Sequence, residues 1–320
     1  ATVKPPTRSA AADHMEDLLD RIASQSHFEE RYHLQARLSQ GGMGEIWHAE
    51  DRLLGRQVAI KISKPHLADI PAARGQFLKE AKCGARLLHP HVLPVFDLGV
   101  DRQRRVYYAM RYVDGASLRK SLDSVATGCA TNLVEFPLDR IVGAFVRVCE
   151  AIDFAHRQGV VHRDLKPDNI LISGFSEVFV IDWGLALVDG HGDLSTLVDL
   201  YSGRRVADTT VVIPREGGGA ALGTPGFMAP EQWDGDVGRF GPPTDVFGLG
   251  GVLYAILYGT PPCWPPEPVS TGAIALTTMQ PQKLGRLRSG IIPKRERLDK
   301  SRSDFLGALN RICLRALERD

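Results

Sequence analysis

The sequence predicts an α+β chain: a small antiparallel β lobe with one main helix, followed by a larger, mostly helical lobe. Three observations predict it. Between Tyr32 and Arg111 the chain is cut into short alternating apolar runs by Gly, Asp and Arg turns. A single helical stretch interrupts those runs. After Gly115 the pattern turns to long segments of helical period.

Taken in order, residues 1–12 read as unstructured. Asp13 to Ser24 carries Met15, Leu18, Leu19 and Ile22 at i, i+3, i+4 and i+7, with Glu16 at capping-box spacing from Asp13. It reads as a short amphipathic helix packed on the domain or on a second copy, or else as a fraying leader. Strands are expected at Tyr32–Leu38, Glu45–Ala49, Gln57–Ile62, Val95–Val100 and Val106–Arg111. A helix over Ala72–Leu88 ends before His89-Pro90, because proline disfavours helical geometry in the residue before it. Leu138–Gln158 keeps a helical period and stops at Gly159, which suits a C-cap. Asp245–Tyr258 is an apolar helix. Asp304–Glu318 is another, with Leu306, Leu309, Ile312 and Cys313 expected on one face. The division is therefore a leader 1–31, a small lobe 32–110, a connection 111–116 and a larger lobe 117–320. A boundary between two such lobes makes a cleft, where ligands bind.

Composition excludes several classes. The 320 residues carry a net charge of +1, so there is no nucleic-acid or anionic-membrane footprint. Arg102, Arg104 and Arg105 cluster, which reads as a solvated turn. Cys83, Cys129, Cys149, Cys263 and Cys313 are scattered with no C-x-x-C pair, which fits reduced thiols in a cytoplasmic protein rather than a zinc site. No apolar run reaches the length of a membrane helix, and the start lacks a signal-peptide core. Because Ala1 is not Met, a processed form or an excised piece is expected.

Five short motifs follow one another in the order Ser39-Gln40-Gly41-Gly42-Met43-Gly44-Glu45-Ile46, Val58-Ala59-Ile60-Lys61, His162-Arg163-Asp164-Leu165-Lys166-Pro167-Asp168-Asn169, Asp182-Trp183-Gly184 and Ala229-Pro230-Glu231. Each alone is weak. Together, in this order, they resemble the signature set of the protein kinases, from about Tyr32 to the C-terminus. The Gly-Gly-Met-Gly loop and the Met228-Ala229-Pro230-Glu231-Gln232 segment resemble the bacterial eukaryotic-like Ser/Thr kinases. The resemblance implies a bilobal protein-kinase fold binding Mg-ATP at the lobe interface and acting on protein hydroxyls.

It also implies roles for residues. Gly41, Gly42 and Gly44 bring backbone N–H groups close to phosphates, where side chains would obstruct. Lys61 holds the α- and β-phosphates and is itself fixed by Glu80. Asp164 accepts and orients the substrate hydroxyl, and Lys166 neutralises charge on the moving phosphoryl group. Asn169 and Asp182 are the oxygen ligands of Mg2+; Asp168 is structural or substrate-facing. Ile46, Ala59 and Leu171 enclose adenine. Met110 is the gatekeeper, backbone groups of Arg111 and Val113 read the adenine edge, and Ser117 meets ribose. Asp245 braces the catalytic loop, and Thr224 steadies Asp164 and Lys166. The family's arginine partner for Glu231 would fall beyond Asp320, so either the chain is expected to continue or this lobe corner is under-supported.

Two positions depart from the family pattern. Ser39 holds the place of the first loop glycine. Trp183 replaces the usual Phe, while its usual Leu or Met partner on the small lobe's helix is Gly84, so the larger ring is expected to fill the vacated volume. The activation segment 182–231 is long and polar. Thr209 and Thr210, with Ser195 and Thr196 behind them, are the candidate phosphorylation sites that would pair with Arg163. The expected function is a cytoplasmic Ser/Thr protein kinase with ATP and Mg2+, protein substrates, and self-association for autophosphorylation. A pseudokinase scaffold and a small-molecule phosphotransferase are the rivals. Lys61, Asp164, Asn169 and Asp182 oppose the first; Lys166 and the Ala-Pro-Glu segment oppose the second.

Overall fold

The computed structural model describes residues 27–126, 138–174, 177–188, 211–215, 219–262 and 300–318. By packing, the chain divides into two compact units: Ala1–Arg74 with Val95–Tyr112, and Gly75–Pro94 with Val113–Asp320.

The first unit opens with a single helical turn, α1 (Phe28–Arg31), followed by β1 (Tyr32–Gln40), β2 (Gly44–Asp51) and β3 (Arg56–Ser63). The helix α2 (Pro71–Arg86) starts in this unit and passes into the second at Gly75. β4 (Val95–Val100) and β5 (Val106–Arg111) complete an antiparallel sheet in the order β1-β2-β3-β5-β4. Side chains alternate along a strand. β3 thus turns Val58, Ile60 and Ile62 into a core with Ala49, Tyr107 and Ala109, and carries Ala59 and Lys61 on its other face. Ile46 stands opposite Lys61 in the register, and Met110 opposite Ala59.

All five expected strands are present, the first three of them longer than expected. The α1 turn, read as part of the leader, packs on the sheet instead. Phe28 lies 4.5 Å from the Tyr107 ring. Arg31 grips both oxygens of Asp51 at 3.2 Å and Asp97 at 3.0 Å, and Tyr32 donates its hydroxyl to Asp97 at 2.9 Å. The basic cluster is the β4–β5 turn. There Asp101 accepts from the Arg105 side chain at 2.7 Å and from two backbone N–H groups, while Arg102 pairs with Glu30 at 2.8 Å. The expected helix at Asp13–Ser24 lies outside the described residues.

The second unit receives α2 from Gly75 onward. The helix ends at Arg86, two residues short of the expected Leu88: Leu87 is buried while Leu88 is 80% exposed, and the chain turns there ahead of Pro90. β6 (Gly115–Ser117) pairs with β8 (Ile170–Ser173), which pairs with β9 (Val178–Val180). Gly115 has to be glycine, because a Cβ there would lie 2.2 Å from the Ile172 carbonyl oxygen. After β6, the described residues include α3 (Leu118–Ala126) and α4 (Leu138–Arg157). α4 buries Ile141, Ala144, Val148, Ala151, Ile152 and Ala155 along one face, as a 3.6-residue period requires. Gly159 takes a positive φ of 70° after it, as expected.

Two short pairs, β7 (Val160–Val161) with β10 (Leu187–Val188) and β11 (Val211–Arg215) with β12 (Gly219–Gly223), flank the site described below. The helices α5 (Pro230–Asp234), α6 (Pro242–Tyr258) and α7 (Lys300–Ala316) follow. α6 starts three residues before the expected Asp245. Two prolines open it, where a missing N–H costs nothing. On α7 the buried face holds Leu306 and Cys313, with Leu309 packed against them, but Ile312 is 59% exposed. Although three residues from Leu309, Ile312 is six from Leu306, which at 3.6 residues per turn turns it about 120° away from Leu306 around the helix. No helix among the described residues is long and apolar enough to cross a membrane.

Candidate active site

The loop after β7 is held from beneath. Asp245, in the first turn of α6, accepts the backbone N–H of His162 and of Arg163, each at 2.8 Å, and the Nε2 of His156 at 2.8 Å. A carboxylate suits this place because it accepts several hydrogen bonds at once. Arg163 takes a positive φ of 66° here, which turns the next residue out of the strand direction. His162 is fully buried. Its Nε2 faces the Ile181 carbonyl at 3.0 Å and its Nδ1 accepts the Asp164 N–H at 3.2 Å, which sets the tautomer with hydrogen on Nε2.

Asp164 is the centre of a closed set of polar contacts. Lys166 Nζ donates to its Oδ2 at 2.9 Å and Thr224 Oγ1 donates to its Oδ1 at 2.8 Å. Lys166 Nζ also donates to Thr224 Oγ1 at 2.9 Å. The Asn169 amide nitrogen donates to the Asp164 carbonyl at 2.8 Å and to its Oδ2 at 3.3 Å. That leaves the Asn169 carbonyl oxygen as the side chain's acceptor. Asp168 stands outside this set, 3.7 Å from Arg119 Nε.

The Arg163 guanidinium is almost wholly buried. Its Nε donates to the Leu185 carbonyl at 2.6 Å and its plane lies 5.2 Å from the Phe240 ring centre. Its two terminal nitrogens have no hydrogen-bond partner among the described residues. Burial pushes its pKa down to about 10, against the upward pull of Asp245 and Asp164. It remains a cation at neutral pH.

Asp182 also stands at positive φ, 64°, and opens the short turn Trp183–Leu185. Trp183 is buried in a core that contains Cys83 of α2, the residue before Gly84, and Leu87 just past the helix end, and its ring lies 4.6 Å from that of His162. Its indole N–H has no partner among the described residues. Gln76 on α2 donates its side-chain amide to the Gly184 carbonyl. A Cβ on Gly184 would lie 3.2 Å from Asp182 Oδ1 and 3.6 Å from Glu80 Oε2, so Glu80 reaches this turn and the glycine makes room for it.

The remaining sequence-derived residues fall into their own units. In the first, Gly41 N donates to Gly44 O at 2.9 Å and closes the loop between β1 and β2. Ser39 stands opposite Ile46 at that loop's base. Lys61 and Ala59 share the β3 face described above, Arg111 ends β5, and Tyr112 stacks on His48 with ring centres 4.1 Å apart. Val113 lies in the second unit, where Ser117 and Leu171 are cross-strand partners on β6 and β8. Ser117 also caps α3, its Oγ accepting the Lys120 N–H at 3.3 Å. Thr209, Thr210, Ser195 and Thr196 lie outside the described residues.

The model of the protein kinase domain matches residues 32–313. The chain belongs to the protein kinase family. Its relatives include the serine/threonine-protein kinase PknD of Chlamydia muridarum, 36% identical over 236 residues, which are 71% of this chain and 24% of the relative. PknD of Chlamydia pneumoniae is 38% identical over 234 residues, with the same shares of the two chains. This kinase domain therefore spans about a quarter of the length of the curated relatives it matches. Its α+β architecture, an antiparallel small lobe and a larger, mainly helical one, is the one the motifs implied. The kinase motifs gave no role to His156, Gln76 or Gln232: His156 meets the Asp245 carboxylate, while Gln76 and Gln232 hold turn and loop carbonyls. His156 and Gln76 lie outside the motifs; Gln232 ends the Met228–Gln232 segment and accepts the Ala229 N–H within it, but its amide nitrogen reaches Arg163 and Leu222 outside that segment.

Proposed function

We propose that this domain transfers the γ-phosphoryl group of ATP to Ser and Thr hydroxyls of protein substrates in the cytoplasm. The observation that carries the reading is the buried triangle of Asp164, Lys166 and Thr224, with sides of 2.8–2.9 Å. One carboxylate oxygen is bonded by an ammonium and the other by a hydroxyl, so Asp164 is held in one orientation as an acceptor. A substrate hydroxyl reaching it is oriented for in-line attack and gives up its proton there. Lys166, already beside that carboxylate, stabilises negative charge gathering on the transferred group.

Asn169 and Asp182 suit Mg2+ by donor chemistry. The amide nitrogen of Asn169 is engaged by Asp164, which leaves a carbonyl oxygen, and Asp182 offers a carboxylate; both are oxygen donors of the kind a hard cation prefers. When bound, Mg2+ supplies neutralising charge to the nucleotide's phosphates. Gly41, Gly42, Gly44, Lys61 and Glu80 serve the phosphates. Ile46, Ala59, Leu171 and the backbone of Arg111 and Val113 serve adenine, and Ser117 serves ribose.

Control by phosphorylation belongs to the same reading. A phosphate on Thr209 or Thr210 pairs with the Arg163 guanidinium, whose terminal nitrogens are unsatisfied among the described residues. A second copy of the chain is the enzyme that moves this phosphoryl group from ATP to the threonine hydroxyl, leaving ADP. The buried, unpaired thiols of Cys83 and Cys313 support a reducing location. The test is transfer of labelled phosphate from Mg-ATP to a generic protein substrate, with Asp164→Asn as control and mass spectrometry of the product. Label on Ser and Thr that disappears in the variant is expected. Nucleotide binding without transfer, equal in both proteins, would leave a scaffold and sink the enzyme.

A further inference from the structure

We propose that Gln232 is a positioning residue for phosphoryl transfer, a side-chain clamp that joins the catalytic loop to the strand leading into Thr224. The inference rests on the kinase reading above. Gln232 lies on α5 and is buried. Its amide nitrogen donates to the Arg163 carbonyl at 2.7 Å and to the Leu222 carbonyl at 3.0 Å. Its amide oxygen accepts the Ala229 N–H at 3.1 Å. Each bond is of ordinary length, and together they use both amide hydrogens and the oxygen.

What these bonds reach gives the side chain its importance. Arg163 immediately precedes Asp164 and sits at φ 66°, a conformation non-glycine residues keep when the surroundings hold it. Asp245 holds its N–H at 2.8 Å, and Gln232 holds its carbonyl. The strained peptide is thus pinned on both sides by buried side chains from two different helices. Leu222 lies two residues before Thr224, whose hydroxyl is bonded to Asp164 and Lys166. One NH2 group therefore bridges the backbone entering Asp164 and the backbone entering Thr224. The space around it is full. A Cβ on Gly223 would lie 3.3 Å from Gln232 Nε2 and 2.9 Å from Met228 Cγ. Only a neutral amide offers two donors and an acceptor in this volume; a carboxylate of the same shape would turn oxygens toward two carbonyl oxygens.

The experiment compares wild type, Gln232→Met and Gln232→Glu by steady-state kinetics from pH 6 to 8.5, with rates expressed per nucleotide-binding site so that misfolded protein is not counted. Gln232→Met keeps the volume and removes all three bonds. Its kcat is expected to fall about 10–100-fold, with KM for ATP within about twofold. In Gln232→Glu, a proton on the carboxyl restores a donor. Titratable and charged groups on the elements around it are His162, Arg163, Asp164, Lys166, Asp245 and Glu231. The kcat ratio of Gln232→Glu to wild type should rise at least about threefold from pH 8 to pH 6, while the ratio for Gln232→Met stays flat. A purely structural role would give no such rescue by acid. A Gln232→Met enzyme within twofold of wild type, or a flat ratio for Gln232→Glu, overturns the inference with the kinase reading intact. A wild-type domain that transfers no phosphate overturns both.

Discussion

The Thr224 hydroxyl lies 2.8 Å from Asp164 Oδ1 and 2.9 Å from Lys166 Nζ, so a side chain from the stretch before α5 closes the buried triangle around the proposed catalytic aspartate. Removing it leaves a buried ammonium and a buried carboxylate each short of one bond. Thr224→Val should lower kcat by about 10–100-fold, because a buried polar partner left unpaired costs about 1–3 kcal/mol. Thr224→Ser keeps the hydroxyl and should stay within about fivefold of wild type. Steady-state phosphorylation rates decide it; equal losses in both variants would mean that the methyl, not the hydroxyl, matters.

Asp245 carries two backbone N–H groups and the His156 ring on one buried carboxylate. Asp245→Ala removes the acceptor for all three of them. Its unfolding free energy should drop by about 3–5 kcal/mol, the cost of breaking a buried charged network. Urea denaturation reads this directly. A loss under about 1 kcal/mol would show that the loop holds its shape without the brace.

Trp183 shares a core with Cys83, which precedes Gly84 on α2, and with Leu87, just past the end of that helix. A leucine at 84 meets that packed wall. Gly84→Leu alone should destabilise by about 1–3 kcal/mol through overpacking and lower activity, and adding Trp183→Phe should recover part of both. Trp183→Phe also removes a buried N–H that has no partner among the described residues. Thermal denaturation and kcat of the four proteins form the cycle; a double variant no better than Gly84→Leu would separate the two positions.

Burial pushes the Cys149 thiol up to about 11 and those of Cys83 and Cys313 up to about 12. The unfolded chain ionises its thiols near 9, so between 9 and 11–12 the folded state binds more protons and stability falls as pH rises. Each thiol contributes at most about 1.4 kcal/mol per pH unit in its window. The buried Arg163 works in the opposite direction above its value of about 10. The urea midpoint should be level from pH 7 to 8.5 and drop beyond 9, and Cys149→Ala should make that drop shallower. An unchanged drop in the variant would rule out that thiol.

Much of the architecture was legible because it is written in short-range periods. The alternation of Val58, Ile60 and Ile62 around Ala59 and Lys61 marks β3 by itself, and the apolar face of α4 marks a helix. Element ends were less legible. Leu88 looks helical in period yet is expelled to solvent, and Ile312 looks like core yet faces water, because three-dimensional neighbours decide which apolar residues are covered. Of the site, the motif residues were legible because their chemistry is local: Asp164, Lys166 and Asn169 lie within six positions.

What the sequence alone determined is the set of elements, their order and which groups are the candidate reactive ones, all of which depend on residues a few places apart. Tertiary structure decided which groups hold the reactive ones still. Asp245 meets Arg163 across 82 positions, Gln232 meets it across 69, and Thr224 meets Asp164 across 60. No period or motif spans such distances. A buried donor must find an acceptor wherever the folded chain brings one, and that demand is met only once the helices and strands have packed.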